Sequence, residues 1–581
     1  MQPNQNINQT PAAMVNPMNN QNYVFKFLSY YFDKTSLTGT FVYQGIDNTI
    51  FTEKVTFAPH PEAHKGKKFN VLDDPTLNQT LDNAMFLAFV LIGTSYYKAH
   101  PTPFVHLPKP IDGFQADFFN KVFQEGLSQY AFENGLTRNN LAHFKATTTK
   151  VEQAARQYRG DGILSLQSGG KDSLLVATLM LEANIDFTPW YVSSDKEGSH
   201  PAVIDEIFPQ LVNKGANVAI REIDQLHLAE TKGLNGHVPV TYINEALAIV
   251  QAILNNQDTV IVSVGNEGGE PHSYIGDLPV NHQWSKTWEA EQLMAEYVKR
   301  YISSDIKVGS PIRKYSELRI AELFVNKCWQ KYGYKFSSCN AANYKQGNQN
   351  ASLAWCGECA KCANTYLLFC PFLAPQVLQS LFQDIDLFRK PSLEMIFKGL
   401  LGVDGTLKPF ECIGSVDELR FAYMHKMVVP PIRVSSNRSM EHNYQAETWN
   451  QNLVQASARL GVNKMFNNGN ANAAPKEYNP NGNNGQYGEA YSNAKAAEIK
   501  ELPMIEQKYD KNGKPLPLDL PDGWYQPAYA NLTFDVPVAN FDYAAEHESQ
   551  DYFKNFFEDH RNVESPASLS EDEEKSEENA E

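Results

Sequence analysis

Six consecutive residues, Ser168, Gly169, Gly170, Lys171, Asp172 and Ser173, bring together the groups that grip an anion. Adjacent glycines permit a sharp turn and a close backbone approach, so that amides at a helix start point towards a phosphate. The two serine hydroxyls add donors and the Lys171 ammonium balances charge, while the Asp172 carboxylate can position magnesium against phosphate oxygens. The spacing differs from a Walker A loop. A bare Gly-Gly-Lys also serves as an ordinary strand-to-helix turn, but the full run in a strand-turn-helix setting favours an anion cradle.

A second constellation is Cys356, Cys359 and Cys362, a C-x2-C-x2-C series, with Cys339 seventeen positions earlier. Three thiolates from one tight turn and a fourth from a distant loop can hold a structural zinc. Reduced packing cysteines, catalytic thiols and an iron-sulfur cluster are the alternatives. Cys328, Cys370 and Cys412 read as isolated core residues.

The elements that must position these groups follow the apolar pattern. Strand 162–167, helix 172–183, strand 187–193, helix 201–213, strand 217–221, helix 241–255 and strand 258–264 alternate as in a doubly wound, mostly parallel α/β sheet. Ligands of such sheets lie beyond the carboxyl ends of the strands. Strand-like runs between 24 and 58 predict a small sheet, and 75–150 reads as helical. Further helices are expected at 284–305, 316–333, 374–387 and 415–427.

The 581 residues thus divide into a disordered start (1–22), an N-terminal α+β region on the substrate side (23–155), an α/β loop domain (156–305) and a helical region with the cysteine cluster (306–440). An Asn/Gly-rich linker (441–499), an aromatic appendix (500–565) and an acidic tail (566–581) follow. The appendix offers a surface for a protein partner.

The formal charge is −17, of which the last eleven residues supply −6, so the body remains acidic and a broad nucleic-acid surface is not expected. The first twenty residues lack the basic start and apolar run of a secretory signal, and no apolar stretch is long enough for membrane insertion. Seven cysteines, an odd number, fit a reducing cytoplasm better than a disulfide framework.

The loop in its context resembles the pyrophosphatase-loop branch of the adenine nucleotide alpha hydrolase-like superfamily. That resemblance implies a Rossmann-like fold, ATP with Mg2+, and cleavage between the α and β phosphates that attaches AMP to a substrate oxygen. It also implies that Val192 and Ser193, at the end of the next strand, approach the nucleotide; Trp190 and Tyr191 there are equally core residues.

A longer set of motifs narrows the resemblance: LNGHVPVTYINEALA (234–248), VGNEGGEP (264–271), VNHQWSKTWEAE (280–291), SPIRKYSELRIAELF (310–324), FSSCN (336–340), WCGECAKC (355–362) and KPFECIG (408–414). Together they resemble the UDP-N-acetyl-alpha-D-muramoyl-L-alanyl-L-glutamate epimerase (MurL) family over roughly residues 24–440. This implies an ATP-dependent enzyme that inverts the terminal L-glutamyl residue of a UDP-muramoyl dipeptide in peptidoglycan synthesis. Adenylating the carboxylate would let it accept enolate character while one base removes the α proton and a conjugate acid returns it from the opposite face. Another adenylating enzyme, of deazaguanine or amide synthesis, and a nucleotide-responsive binding protein are the competing expectations.

Within those motifs His237 is the leading acid-base group, against a structural or phosphate-binding role, and Asn235 in the same turn is read as substrate-binding. Glu267 suits a base, an orienting group, a magnesium ligand or a solvated loop acid. His282 suits proton exchange or phosphate binding, and Lys286 suits the activated carbonyl, with a helix-surface role as the alternative. Arg313 and Lys314 suit a diphosphate, with solvating a loop or pairing with nearby acids as the alternative. Tyr96, Tyr97 and Lys98 are placed in the substrate wall by the resemblance alone.

Overall fold

The computed structural model describes residues 23–59, 75–151, 158–207, 217–224, 233–266, 268–343, 352–426, 432–433, 524–525, 529–547 and 552–561. Three strands, Phe25–Asp33 (β1), Thr38–Gln44 (β2) and Ile50–Thr56 (β3), form an antiparallel meander. A two-residue strand, Val105–His106 (β4), pairs in parallel with β1. The strands Ile163–Leu166 (β5), Thr188–Ser193 (β6), Asn217–Glu222 (β7) and Thr259–Ile261 (β8) then run parallel. After a hairpin of Ser273–Ile275 (β9) and Leu278–Val280 (β10), Lys307–Gly309 (β11) adds a fifth parallel strand.

The main sheet has nine strands in the order β11-β8-β5-β6-β7-β3-β2-β1-β4. From β7 to β11 its parallel part reads third, second, first, fourth, fifth, the doubly wound order whose direction reverses between β5 and β8. Helices cover both faces. Lys171–Glu182, after β5, packs Leu174, Leu175 and Met180 into one core, whereas Val240–Leu254 and Trp288–Tyr301 pack Ile243, Leu247, Met294 and Val298 into the other. A mostly parallel α/β sheet is thus what the alternating pattern predicted.

The N-terminal strands were expected as a small sheet of their own. They instead extend the main one, because β3 pairs antiparallel with β7. Arg221 on β7 reaches Glu53 on β3 at 2.6 Å, both buried, and Tyr96 also bonds Glu53. Two charges buried face to face hold the seam only as a pair, since either alone would cost several kcal/mol.

The helical region fills the core on the face of Lys171–Glu182 with Glu317–Lys327, Ala360–Phe369 and Val416–Met424. The helix expected over 374–387 is confined to Pro375–Ser380, and Gln383 and Asp384 beyond it have positive φ, which ends α-helical pairing. Tyr529, Leu532, Tyr543, Phe556 and Phe557, from the aromatic appendix, are buried in this same core. The readings of 1–22 and of 441–499 as disordered and linker segments lie outside the described residues, as does most of helix 201–213, of which Ala202–Asp205 is seen. Among the described residues no helix is long and apolar enough to cross a membrane.

Candidate active site

Residues 168–173 leave the carboxyl end of β5, at the reversal of strand order, and enter the helix Lys171–Glu182. Gly169 has φ +76°, which favours glycine, and a Cβ there would stand 2.7 Å from Leu353 Cδ1 and 2.9 Å from Val203 Cγ1, so those side chains would have to shift to admit one. Gly170 is the N-cap and has no side chain to bond the first-turn amides, which is the arrangement an anion exploits. The Ser173 hydroxyl lies 3.3 Å from the Ser168 amide and closes the turn.

Lys171 Nζ donates to Asp172 Oδ1 at 2.7 Å and to Glu317 Oε2 at 2.6 Å. Glu317 stands at the first turn of Glu317–Lys327, whose sequence carried no marker for this contact. Burial acts to raise the Asp172 pKa, but Lys171, Lys286 and Lys361 outweigh it and keep the carboxyl below its ordinary value. Asp172 Oδ1 and Glu317 Oε2 thus share the Lys171 ammonium, and a hard carboxylate oxygen such as those of Asp172 is a donor that magnesium accepts.

Lys286 and Lys361 link this loop to a histidine cluster, since both also depress His282. The His237 and His282 rings have centroids 4.2 Å apart, and His272 lies 6.4 Å from His282. All three are neutral near pH 7. Burial is the main cause at each, and it brings His282 to about 4 and His272 to about 3. His237 is held well below 6.5 by burial and then by His282, Lys98 and His272.

A relay fixes the His282 tautomer. Gln129 Nε2 donates to Glu133 Oε1 at 2.8 Å, which turns its Oε1 to His282 Nδ1 at 2.6 Å. An amide oxygen only accepts, so Nδ1 carries the proton and Nε2 keeps its lone pair. Gln129, His272, Lys361, Glu317 and Glu411, whose charge partly offsets the lysines at His282, were all missed from sequence. Glu317, Lys361 and Glu411 sit inside quoted motifs and His272 just follows one, whereas Gln129 had no such signal.

The remaining sequence candidates scatter. Arg313 is buried against Glu291 and donates to the carbonyls of Gly265 and Lys286 at 2.8 and 2.7 Å, so its guanidinium anchors the Lys286 segment. Lys314 is exposed over the Tyr552 ring. Tyr96 and Tyr97 are core residues, bonded to Glu53 and to the Thr102 carbonyl. Lys98, lowered to about 8 by burial and Arg221, donates to the Gly236 carbonyl beside His237. Asn235 is exposed and its side chain turns back to the Gly236 amide. At the end of β6 Val192 is half-buried, and the Ser193 hydroxyl donates to the Ser199 carbonyl at 2.8 Å. Glu267 lies outside the described residues.

Cys339, Cys356, Cys359 and Cys362 converge, with their sulfurs all within 4.8 Å of one another. Three of the separations are 3.6, 3.8 and 3.6 Å. Sulfurs at about 2.3 Å from a tetrahedral zinc stand about 3.8 Å apart, so the set fits that ion. Amides of Ala342, Gly357 and Glu358 point at three of the sulfurs at 3.3–3.4 Å, spreading thiolate charge. The cluster ties two segments to the site. Ser337, two residues before Cys339, donates its amide to the Gly169 carbonyl at 3.3 Å, and Lys361 lies between Cys359 and Cys362.

These features define an α/β protein with a glycine-rich strand-to-helix turn at the switch point of its sheet and a cluster of three histidines. The MurL N-terminal domain matches residues 17–310 and the MurL C-terminal domain matches residues 335–455. The chain belongs to the MurL family. Relatives called UDP-N-acetyl-alpha-D-muramoyl-L-alanyl-L-glutamate epimerase occur in Micromonospora sp. (33% identity over 58% of this chain and 73% of that one) and Salinispora tropica (31% over 68% and 82%). A third, with the same name, is from Xanthomonas oryzae pv. oryzae (28% over 68% and 84%). No solved structure matches the chain.

Proposed function

We propose that the protein inverts the terminal L-glutamyl residue of UDP-N-acetylmuramoyl-L-Ala-L-Glu, consuming ATP as co-substrate. The observation that carries this reading is a set of contacts joining the turn to the histidines: Ser337 donates its amide to the Gly169 carbonyl at 3.3 Å, Asn340 bonds Glu411 at 3.1 Å, and Gln283, next to His282, donates to the Ile413 carbonyl at 2.9 Å. One site therefore has a place for phosphates and, beside it, groups suited to moving a proton.

The amides and Lys171 of the cradle hold the β and γ phosphates while a substrate carboxylate oxygen bonds to the α phosphorus and pyrophosphate leaves. Magnesium, held by Asp172 with phosphate oxygens, would neutralise charge on the departing pyrophosphate. An ionised carboxylate resists a carbanion beside it, whereas the activated acyl group accepts the electron pair as an enolate. Lys286 and Lys361 stabilise that oxygen. His282 Nε2, whose lone pair the Gln129 relay leaves free, takes the α proton and becomes an imidazolium in contact with His237; solvent returns a proton to the opposite face of the enolate, and the imidazolium then gives up its own to solvent. Water then cleaves the acyl-phosphate bond, releasing AMP and the inverted carboxylate.

Neutral histidines suit this order of events, because a base must be unprotonated when it meets the proton. The zinc site supplies rigidity here, since Cys339, Cys356, Cys359 and Cys362 hold Lys361 and the Ser337 segment against the cradle. The test is to incubate the protein with ATP, magnesium and the UDP-muramoyl dipeptide in deuterated water, with chiral analysis of the glutamate by mass spectrometry. Deuterated D-glutamyl product with AMP and pyrophosphate is expected. AMP formation with neither inversion nor α deuteration would reject the reading.

A further inference from the structure

Residues 529–547 and 552–561 lie beyond both matched domains, yet they pack on the helix that faces the cradle. Glu546 Oε2 accepts from the Ser316 amide at 2.9 Å, and Ser316 is the N-cap of Glu317–Lys327. One residue further on, Glu317 holds Lys171. A turn later Tyr543 bonds Glu322, which pairs with Arg319 at 2.5 Å, and His547 stands 3.6 Å from the same carboxylate. Tyr543 also packs on Phe421 and Phe541. Tyr552 lies under Lys314, and Phe556 lies 3.3 Å from where a Gly309 Cβ would be, against the end of β11.

We propose that this C-terminal segment is a brace for the anion cradle, with Glu546 as a positioning residue that acts through Ser316 and Glu317 on Lys171. A carboxylate at a helix N-terminus is favoured by the helix dipole as well as by its hydrogen bond. Glu418 already caps the neighbouring Leu318 amide at 3.1 Å, so Glu546 completes a two-carboxylate clamp on one helix start. Displacing the clamp lets the first turn of Glu317–Lys327 fray, and the Glu317 carboxylate lies in that turn. Lys171 would then lose the partner that fixes its ammonium over the phosphate position. The chain so supplies, from a region outside the family's matched domains, support for a residue at the centre of its site.

The proposal rests on the cradle reading given above for what Lys171 does, but its test reads the brace independently. Glu546→Ala and Glu546→Gln are compared with the unaltered full-length chain by hydrogen exchange and by ATP kinetics. In Glu546→Ala the amides of 168–175 should exchange about tenfold faster, and KM for ATP should rise about tenfold with kcat changed less than about twofold. Glu546→Gln keeps a carbonyl acceptor for the Ser316 amide and should recover most of both. Unchanged protection of 168–175 in Glu546→Ala would overturn the proposal. So would faster exchange spread evenly over β5, β6 and Val240–Leu254, which is general loosening. If the chain consumes no ATP, the exchange data still decide the brace and only the functional reading falls.

Discussion

Gln129 Oε1 stands 2.6 Å from His282 Nδ1, with the other end of the same amide on Glu133. This one contact decides which imidazole nitrogen can act as a base. Gln129→Leu removes it and frees both tautomers, so α-proton exchange should fall about tenfold to a hundredfold with little change in KM. Gln129→Glu places a carboxylate there instead, which stabilises the imidazolium. The acidic limb of the exchange rate should then move up in pH, and a pH profile of deuterium incorporation checks it.

The neutral histidines also set the acid stability. His282 and His272 fall from 6.5 to about 4 and about 3 in the fold, so the unfolded chain binds protons first. Their contribution is fully present above about pH 6.5 and is lost as pH falls towards those lowered values. Each adds a slope of about 1.4 kcal/mol per pH unit where only the unfolded form is protonated. Urea titrations between pH 7 and 4.5 should show His272→Phe flattening that slope.

Lys171 and Glu317 are a buried pair, with side chains 9% and 4% exposed. Lys171→Met leaves the carboxylate without its ammonium and should cost about 3–5 kcal/mol. The double change Lys171→Met with Glu317→Gln should restore most of that stability while ATP turnover stays abolished. Chemical denaturation and AMP release, measured side by side, separate the structural role from the chemical one.

Metal content tests the four sulfurs. One zinc per chain is expected by elemental mass spectrometry, and Cys359→Ser should lose it together with thermal stability. Cys370→Ala, at a buried cysteine away from the cluster, should keep the zinc. Retained zinc in Cys359→Ser would show that the sulfurs merely pack.

The strand-turn-helix of the cradle was legible because its causes are local: a short apolar run, two glycines, then an apolar face at helical spacing. The metal-ligand spacing of the cysteines was legible for the same reason, and their convergence in space agrees with it. Local sequence also determined that the centre alternates strand with helix, which predicts a parallel sheet once right-handed crossovers are the rule. It carried no sign that Glu53 and Arg221, 168 positions apart, would join the N-terminal meander to that sheet. Nor did it mark Gln129 for His282, Glu317 for Lys171 or Glu546 for Ser316, at separations of 153, 146 and 230 residues. Arg313 read as a diphosphate group, a loop cation or the partner of a nearby acid, and tertiary structure chose the last by burying it on Glu291. The division follows from the physics: backbone preference and periodic burial act over a few residues, whereas the partner of a charge is chosen by the whole packed chain. What the sequence by itself determined is the set of reactive groups and the local elements that carry them. Only the fold decided which of those groups meet.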